Sequence, residues 1–235
     1  MKMETSTVEG VLLINKTPGK TSFSIISELR RKLNVKKIGH AGTLDPFASG
    51  VMVLLVGKKY TTLSNQFMGC DKEYWAELKL GYQTESFDPE TPEILISNAI
   101  PSEMQINEVL KQFQGEIEQI PPMYSAKKIN GKKLYQLARK GQTVERPAQK
   151  IKVQIELIDY SYPNLELKIT CSKGTYIRSL AHDIGNSLGV GAYLQKLTRL
   201  RSGSFHLKDC LDQDLIFSSQ FTPDLLIKNE SLSHA

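Results

Sequence analysis

Two neighbouring segments, QKIKVQIELIDY (149–160) and LELKITCS (165–172), decide the fold class. In the first, Ile151, Val153, Ile155 and Leu157 alternate with Lys150, Lys152, Gln154 and Glu156; in the second, Leu165, Leu167, Ile169 and Cys171 repeat the pattern. Successive side chains of a strand point to opposite faces, so each segment reads as a strand with one buried and one wet face. The turn residues SYPN (161–164) between them predict an antiparallel hairpin. Beyond it, the glycine turn SKGT (172–175) leads into a helix that carries Ile177, Leu180, Ala181, Ile184 and Leu188 and is closed by Gly189.

Working back toward the N-terminus, residues 121–148 break the pattern: the stretch is basic, interleaves Tyr124 and Tyr135 with lysines, and keeps little core beyond Leu134, Leu137 and Ala138. It reads as a partly helical excursion facing a polyanion. SEMQINEVLKQFQG (102–115) predicts a helix, with a Ser-x-x-Gln capping box at Ser102, a stripe of Ile106, Val109, Leu110 and Phe113, and a stop at Gly115. EYWAELKL (73–80) alternates, with Tyr74, Ala76, Leu78 and Leu80 on the core face and Trp75, Glu77 and Lys79 opposite. VMVLLV (51–56) reads as a fully buried strand and GVLLINK (10–16) as a shorter one. Between them Phe23, Ile26, Leu29 and Leu33, with Ile25 beside them, recur at helical spacing behind a cap at Thr21 or Ser22. Strands and helices mix without regular alternation, which predicts α+β with a mixed, mostly antiparallel sheet flanked by helices.

The 235 residues are 40% hydrophobic and 23% charged, ordinary for a globular chain long enough to bury a core. MKMETSTVEG (1–10) has no apolar stretch of signal-peptide length, and the longest apolar run is far too short to span a bilayer, so a soluble cytoplasmic protein is expected. Cys70, Cys171 and Cys210 are widely separated, which predicts neither a disulfide framework nor a zinc ribbon. The net charge of +5 is mild, but bases bunch at Arg30–Lys37, at Lys127–Lys140, and at Arg199 and Arg201.

TPGKTS (17–22) ends like a phosphate-binding loop, yet Ile14 stands where that motif needs its first glycine, so Lys20 reads as a turn residue facing solvent or substrate. His40 and Asp45 lack close partners at metal-ligand spacing, so no metal is expected. No Gly-x-Ser-x-Gly marks a serine nucleophile. Asp45, in GHAGTLDPFASGVMVLLVG (39–57), is by itself a common Asp-Pro turn former. Gly39, Gly42 and Gly50 let the backbone approach a ligand, the following buried strand supplies a rigid support, and Arg178 at the start of a helix could hold the carboxylate ionised.

Five ordered segments carry a resemblance: GVLLINKTPGKTS, KIGHAGTLDPFASGVMVLLVGKKYT, DKEYWAELKLGYQTESFDPE, IPPMYSAKKINGKKLYQLARKG and CSKGTYIRSLAHDIGNSLGVGAYLQKLTRLRSGSF. Together they resemble the TruB family of tRNA pseudouridine synthases over about residues 10 to 205. The resemblance implies the pseudouridine synthase fold and an enzyme that isomerises uridine-55 in the T-loop of tRNA. Asp45 matches the catalytic aspartate. An ionised carboxylate there can attack C1′, add to C6 or remove a C2′ proton, and the sequence leaves all three open. His40 matches the residue that fills the space of the flipped base, Tyr74 the one that stacks on the uracil, and Arg178 the partner of the aspartate. Tyr176 and Leu197 match the pocket lining. No cofactor is implied, because the reaction is neither a redox step nor a group transfer.

Residues 121–148 resemble the family's thumb, with Lys127, Lys128, Lys132, Lys133 and Arg139, and Lys20 outside it, as contacts to the RNA backbone. The resulting division is a tail (1–9), a catalytic domain (10–207) and a short C-terminal tail (208–235), too short and strand-poor for the PUA domain with which many members continue. Recognition mainly through the T-arm by a monomer is expected. A runner-up from another class is an RNA-binding protein that helps tRNA to fold through the same groove without catalysis.

Overall fold

The computed structural model describes residues 8–129 and 131–228; the expected tails fall outside it at 1–7 and 229–235. The chain opens with β1 (Gly10–Lys16), α1 (Ser22–Leu33), β2 (Ile38–His40) and β3 (Ser49–Val56), then two short helices, α2 (Lys58–Thr61) and α3 (Ser64–Gly69). Next come β4 (Lys72–Leu80), a small hairpin of β5 (Tyr82–Gln83) and β6 (Ile94–Leu95), α4 (Glu103–Gln112) and β7 (Gly115–Gln119). The basic segment forms β8 (Lys128–Ile129), β9 (Lys132–Lys133) and α5 (Leu134–Ala138). After it run β10 (Gln149–Ser161), β11 (Asn164–Cys171), α6 (Ile177–Ser187) and β12 (Ala192–Ser202). Short elements β13 (Phe205–His206), β14 (Leu211–Asp212) and α7 (Asp214–Phe217) complete the order. This is the α+β class, with a mixed and mostly antiparallel sheet.

The chain divides into two compact units, one from the described parts of Met1–Tyr74 and Thr198–Ala235, the other from Trp75–Leu197. It passes from one to the other within β4 and back within β12. In the first unit β1 pairs antiparallel with β3, from Gly10↔Val56 to Lys16↔Gly50, while β14 joins β1 and the end of β12 joins β3, both in parallel. β3 is buried from Gly50 to Val56, as the unbroken apolar run predicts. One of its faces packs with Val11, Leu13, Tyr60, Phe67 and Phe205.

Helix α1 starts behind Thr21, whose hydroxyl accepts from the Ser24 N–H. Its buried stripe is Ser22, Ile25, Ile26, Leu29 and Leu33. Phe23, assigned to that stripe by its spacing, is 68% exposed. It lies about 100° around the helix from Ser22. Ser22 takes the inward position because its hydroxyl bonds to Leu44. The residues expected as a C-terminal tail add β14 to the sheet edge, exchange two backbone hydrogen bonds between Ile227 and Val11, and bury Ile216 and Leu226.

In the second unit the strand order is β4-β11-β10-β7. The β10–β11 hairpin runs antiparallel from Val153↔Cys171 to Ser161↔Asn164, with a bulge between Leu157 and Asp159. β7 pairs with the outer edge of β10 and was not legible, because GEIEQ offers one apolar side chain and is held through its backbone. Both halves of the Ser102–Gln105 capping box are present at the start of α4. Glu77, expected on the wet face of β4, is 5% exposed and accepts from Gln195 Nε2 at 2.8 Å and Lys196 Nζ at 3.0 Å. Among the described residues no helix is long and apolar enough to cross a membrane.

Candidate active site

The first unit holds Lys20, His40, Tyr74 and Asp45. Asp45 lies half-buried on the loop between β2 and β3, and the backbone on both sides of it is bonded. On one side, the Ser22 hydroxyl donates to the Leu44 carbonyl at 3.0 Å and accepts from the Leu44 N–H at 3.2 Å. On the other, the Pro46 carbonyl accepts from the Gly19 N–H at 2.9 Å and from Lys16 Nζ at 3.1 Å. The Asp45 carbonyl accepts from the Ala48 N–H at 3.1 Å, closing the turn.

Two fully buried cations support this loop, and neither stood out in the sequence. Lys16, with no exposed surface, also donates to the Ala48 carbonyl at 2.7 Å. Burial lowers its pKa from 10.5 to about 8, against the opposing attraction of Asp45 and with a smaller push from Arg199. Arg199, 1% exposed, donates from Nε to Val51 O at 2.6 Å, from Nη1 to Thr43 O at 3.4 Å and from Nη2 to Gly42 O at 3.1 Å. A lysine that ends an apolar run and an arginine in a basic cluster both read as solvent-facing, so only the fold reveals these roles. The result is a carboxylate on a fixed backbone with a cationic field behind it.

His40 ends β2, and its Nδ1 is buried without a hydrogen-bond partner among the described residues. Its pKa is lowered by burial first and by Arg199 second, which keeps the ring neutral at neutral pH. Tyr74 lies on β4 with 9% exposure, on the core face as its alternation requires. Lys20 sets its ammonium 3.4 Å from the centre of the Phe217 ring, so this candidate phosphate contact already has an aromatic neighbour.

The second unit holds Tyr176, Arg178, Leu197 and the basic segment. Tyr176 caps α6, and the buried Gln119 amide grips its backbone twice, accepting from its N–H at 2.8 Å and donating to its carbonyl at 3.0 Å. Arg178, 6% exposed, meets Asp88 Oδ2 at 3.1 Å and donates to Ser86 O at 3.1 Å and Tyr124 O at 2.8 Å. Asp88 was not singled out in the sequence, where Asp-Pro in a polar connection signals only a turn. Leu197 is 7% exposed on β12.

In the basic segment Lys128, Lys132 and Arg139 are exposed, while Lys127 Nζ donates to Gln149 Oε1 at 3.2 Å. Lys132, Tyr135, Arg139 and Lys140 line an open groove, and the Lys133 ammonium and the Arg139 guanidinium each lie 5.5 Å from the Tyr135 ring centre. Tyr124, at the root of this segment, is tied to Arg178 through its carbonyl.

Among solved structures, a chain of a Cbf5-Nop10-Gar1 complex matches with TM-score 0.69 and 32% identity over 88% of this chain and 54% of that one. A chain in an H/ACA RNP bound to a substrate RNA containing 2'-deoxyuridine matches with TM-score 0.66, 30% identity and coverage of 88% and 52%. This chain thus spans about half the length of those two. The fold is that of the pseudouridine synthases. A model of the TruB family pseudouridylate synthase N-terminal domain matches residues 30–177, and one of the tRNA pseudouridylate synthase B C-terminal domain matches 178–221. tRNA pseudouridine synthase B of Protochlamydia amoebophila is 57% identical over 96% of this chain and 86% of its own. The protein of that name from Chlamydia abortus is 52% identical over 94% of each chain. This chain belongs to the TruB family.

Proposed function

We propose that this chain is a tRNA pseudouridine synthase that isomerises uridine-55 of the T-loop, with Asp45 as its essential carboxylate. The observation that carries the reading is the loop of Asp45, whose backbone is bonded at Leu44, Asp45, Pro46 and Ala48 and backed by buried Lys16. A turn-forming aspartate needs no such support; a reacting one does, because small displacements of a catalytic group are costly.

The target base is flipped out of the folded loop before the carboxylate reaches it. His40, neutral, takes the place the base vacates; Tyr74 stacks on the uracil, Tyr176 and Leu197 line its pocket, and Arg178 pairs with Asp45 as the family motifs imply. The N1–C1′ bond breaks, the uracil turns, C5 bonds to C1′ and gives up its proton, and N1 takes up a proton. Substrate and product are isomers and no electrons are exchanged, so the chemistry calls for no cofactor.

In this reading residues 10–207 are the catalytic region and 121–148 a thumb, whose lysines, with Lys20, contact RNA phosphates. The enzyme works as a monomer in the cytoplasm and holds tRNA mainly by the T-arm. The test is to incubate the purified protein with an unmodified tRNA transcript, and with its minimal T-arm hairpin, and to map pseudouridine. One modified position at uridine-55, formed nearly as fast on the hairpin, is expected. Unmodified transcript would instead favour a folding helper that binds the same arm.

A further inference from the structure

Three residues of α6 lie four apart and so share one helix face: Arg178, His182 and Asn186. Each meets a residue of the segment 83–88. Arg178 pairs with Asp88 at 3.1 Å, the His182 ring stacks on Phe87 with centroids 3.9 Å apart and planes 16° from parallel, and Asn186 Oδ1 accepts from Gln83 Nε2 at 2.7 Å. We propose that the Phe87–His182 stack, with the Gln83–Asn186 hydrogen bond behind it, is a clamp that positions the Arg178–Asp88 pair for the reaction. The inference rests on the isomerase reading above.

Phe87 carries the main argument. It has φ +64, a left-handed conformation that a bulky side chain rarely adopts. Such strain persists only where its surroundings over-determine it, and here they do. The Phe87 N–H donates to Thr84 O at 3.3 Å and its carbonyl accepts from the Leu194 N–H at 3.0 Å. Beside it, Asp88 is fixed on both oxygens: Oδ1 accepts from Ser86 Oγ at 2.5 Å and from the Glu90 N–H at 2.9 Å, and Oδ2 faces Arg178. The unusual backbone turns the Phe87 ring onto His182 while its neighbour's carboxylate meets Arg178 one helical turn away.

The hydrogen bonds also order the imidazole. Because Gln83 donates to Asn186 Oδ1, the Asn186 Nδ2 is the group that faces His182 Nε2 at 3.0 Å. Nε2 then accepts from Asn186, while Nδ1 is buried without a hydrogen-bond partner among the described residues. Burial lowers the His182 pKa, which favours this neutral ring under the Phe87 face. Phe87 and His182 touch no reacting atom in this scheme; they act through Arg178.

The test uses the full chain and a tRNA transcript. His182→Ala and Phe87→Ala are each expected to lower kcat about tenfold with KM changed less than about twofold, since misplacement of a catalytic group acts on the chemical step. His182→Phe, which keeps a ring to stack, is expected to restore kcat to within about threefold of wild type. Wild-type kcat in His182→Ala, or His182→Phe as slow as His182→Ala, overturns the clamp. Should His182→Ala fail to fold, the exposed Asn186→Ala serves, and an unchanged kcat there overturns it. If the wild type forms no pseudouridine, the isomerase reading fails by itself. The clamp is then decided by the guanidinium NMR resonances of Arg178, which are expected to be sharp and protected in wild type and His182→Phe but broadened in Asn186→Ala and His182→Ala. Unchanged resonances overturn it.

Discussion

Lys16 is an ammonium without exposed surface that faces the carbonyls just after Asp45, and its pKa of about 8 gives the protein a pH signature. The folded state releases this proton near pH 8, the unfolded chain only near the ordinary lysine value of 10.5. Between these values the unfolded chain binds more protons, so the Lys16 contribution to stability rises with pH. Over the same range the positive charge beside Asp45 is lost. Activity is therefore expected to fall as pH rises through about 8, while wild type gains stability over Lys16→Met. Paired pH–rate and urea-unfolding profiles check both directions, and an unaltered alkaline step in Lys16→Met would contradict the assignment. Arg199→Met leaves three carbonyls without their donor and is expected to destabilise by about 3 kcal/mol, read from urea midpoints. At this scale the core-facing place of Tyr74 was legible, because strand alternation marks it. Lys16, Arg199, Asp88 and Gln119 were not, because a buried polar residue looks like an exposed one until its partners are known.

Elements with a strong local code were read correctly. The β10–β11 hairpin follows from strict alternation across a turn, and α4 from its capping box. Ser102→Ala removes that cap and is expected to cost about 1 kcal/mol in thermal or urea unfolding while leaving kcat unchanged. β12 escaped notice because its pattern is irregular: Tyr193 and Leu194 are adjacent and both buried, and Arg199 is a charge facing inward. Its junction with β3 depends on Gly50, which has φ +103 and whose added Cβ would lie 2.2 Å from the Arg199 carbonyl oxygen. Gly50→Ala is thus expected to destabilise by at least about 2 kcal/mol, measured against Gly19→Ala, where the space is open.

For the whole molecule, fold class and family could be read from the sequence, but not the division into two units. The first unit is discontinuous in sequence, closed by residues after Thr198, and no local pattern announces that return. The charge distribution was legible, and it predicts salt-sensitive binding. Lys132→Ala and Arg139→Ala, both exposed, are each expected to weaken tRNA binding and to reduce the slope of log K against log salt by about 0.7 to 0.9. Binding assays across a salt series check this, and slopes equal to wild type would remove these residues from the phosphate contacts.

Formation of the C5–C1′ bond must expel the C5 hydrogen of the target uridine, so tritium release from tRNA labelled at uridine C5 follows the chemistry directly. Wild-type protein is expected to release one equivalent per tRNA. Asp45→Asn, which keeps the shape and loses the charge, is expected to release none while binding tRNA within about threefold of wild type. Release by Asp45→Asn at the wild-type rate would contradict the central role given to that carboxylate.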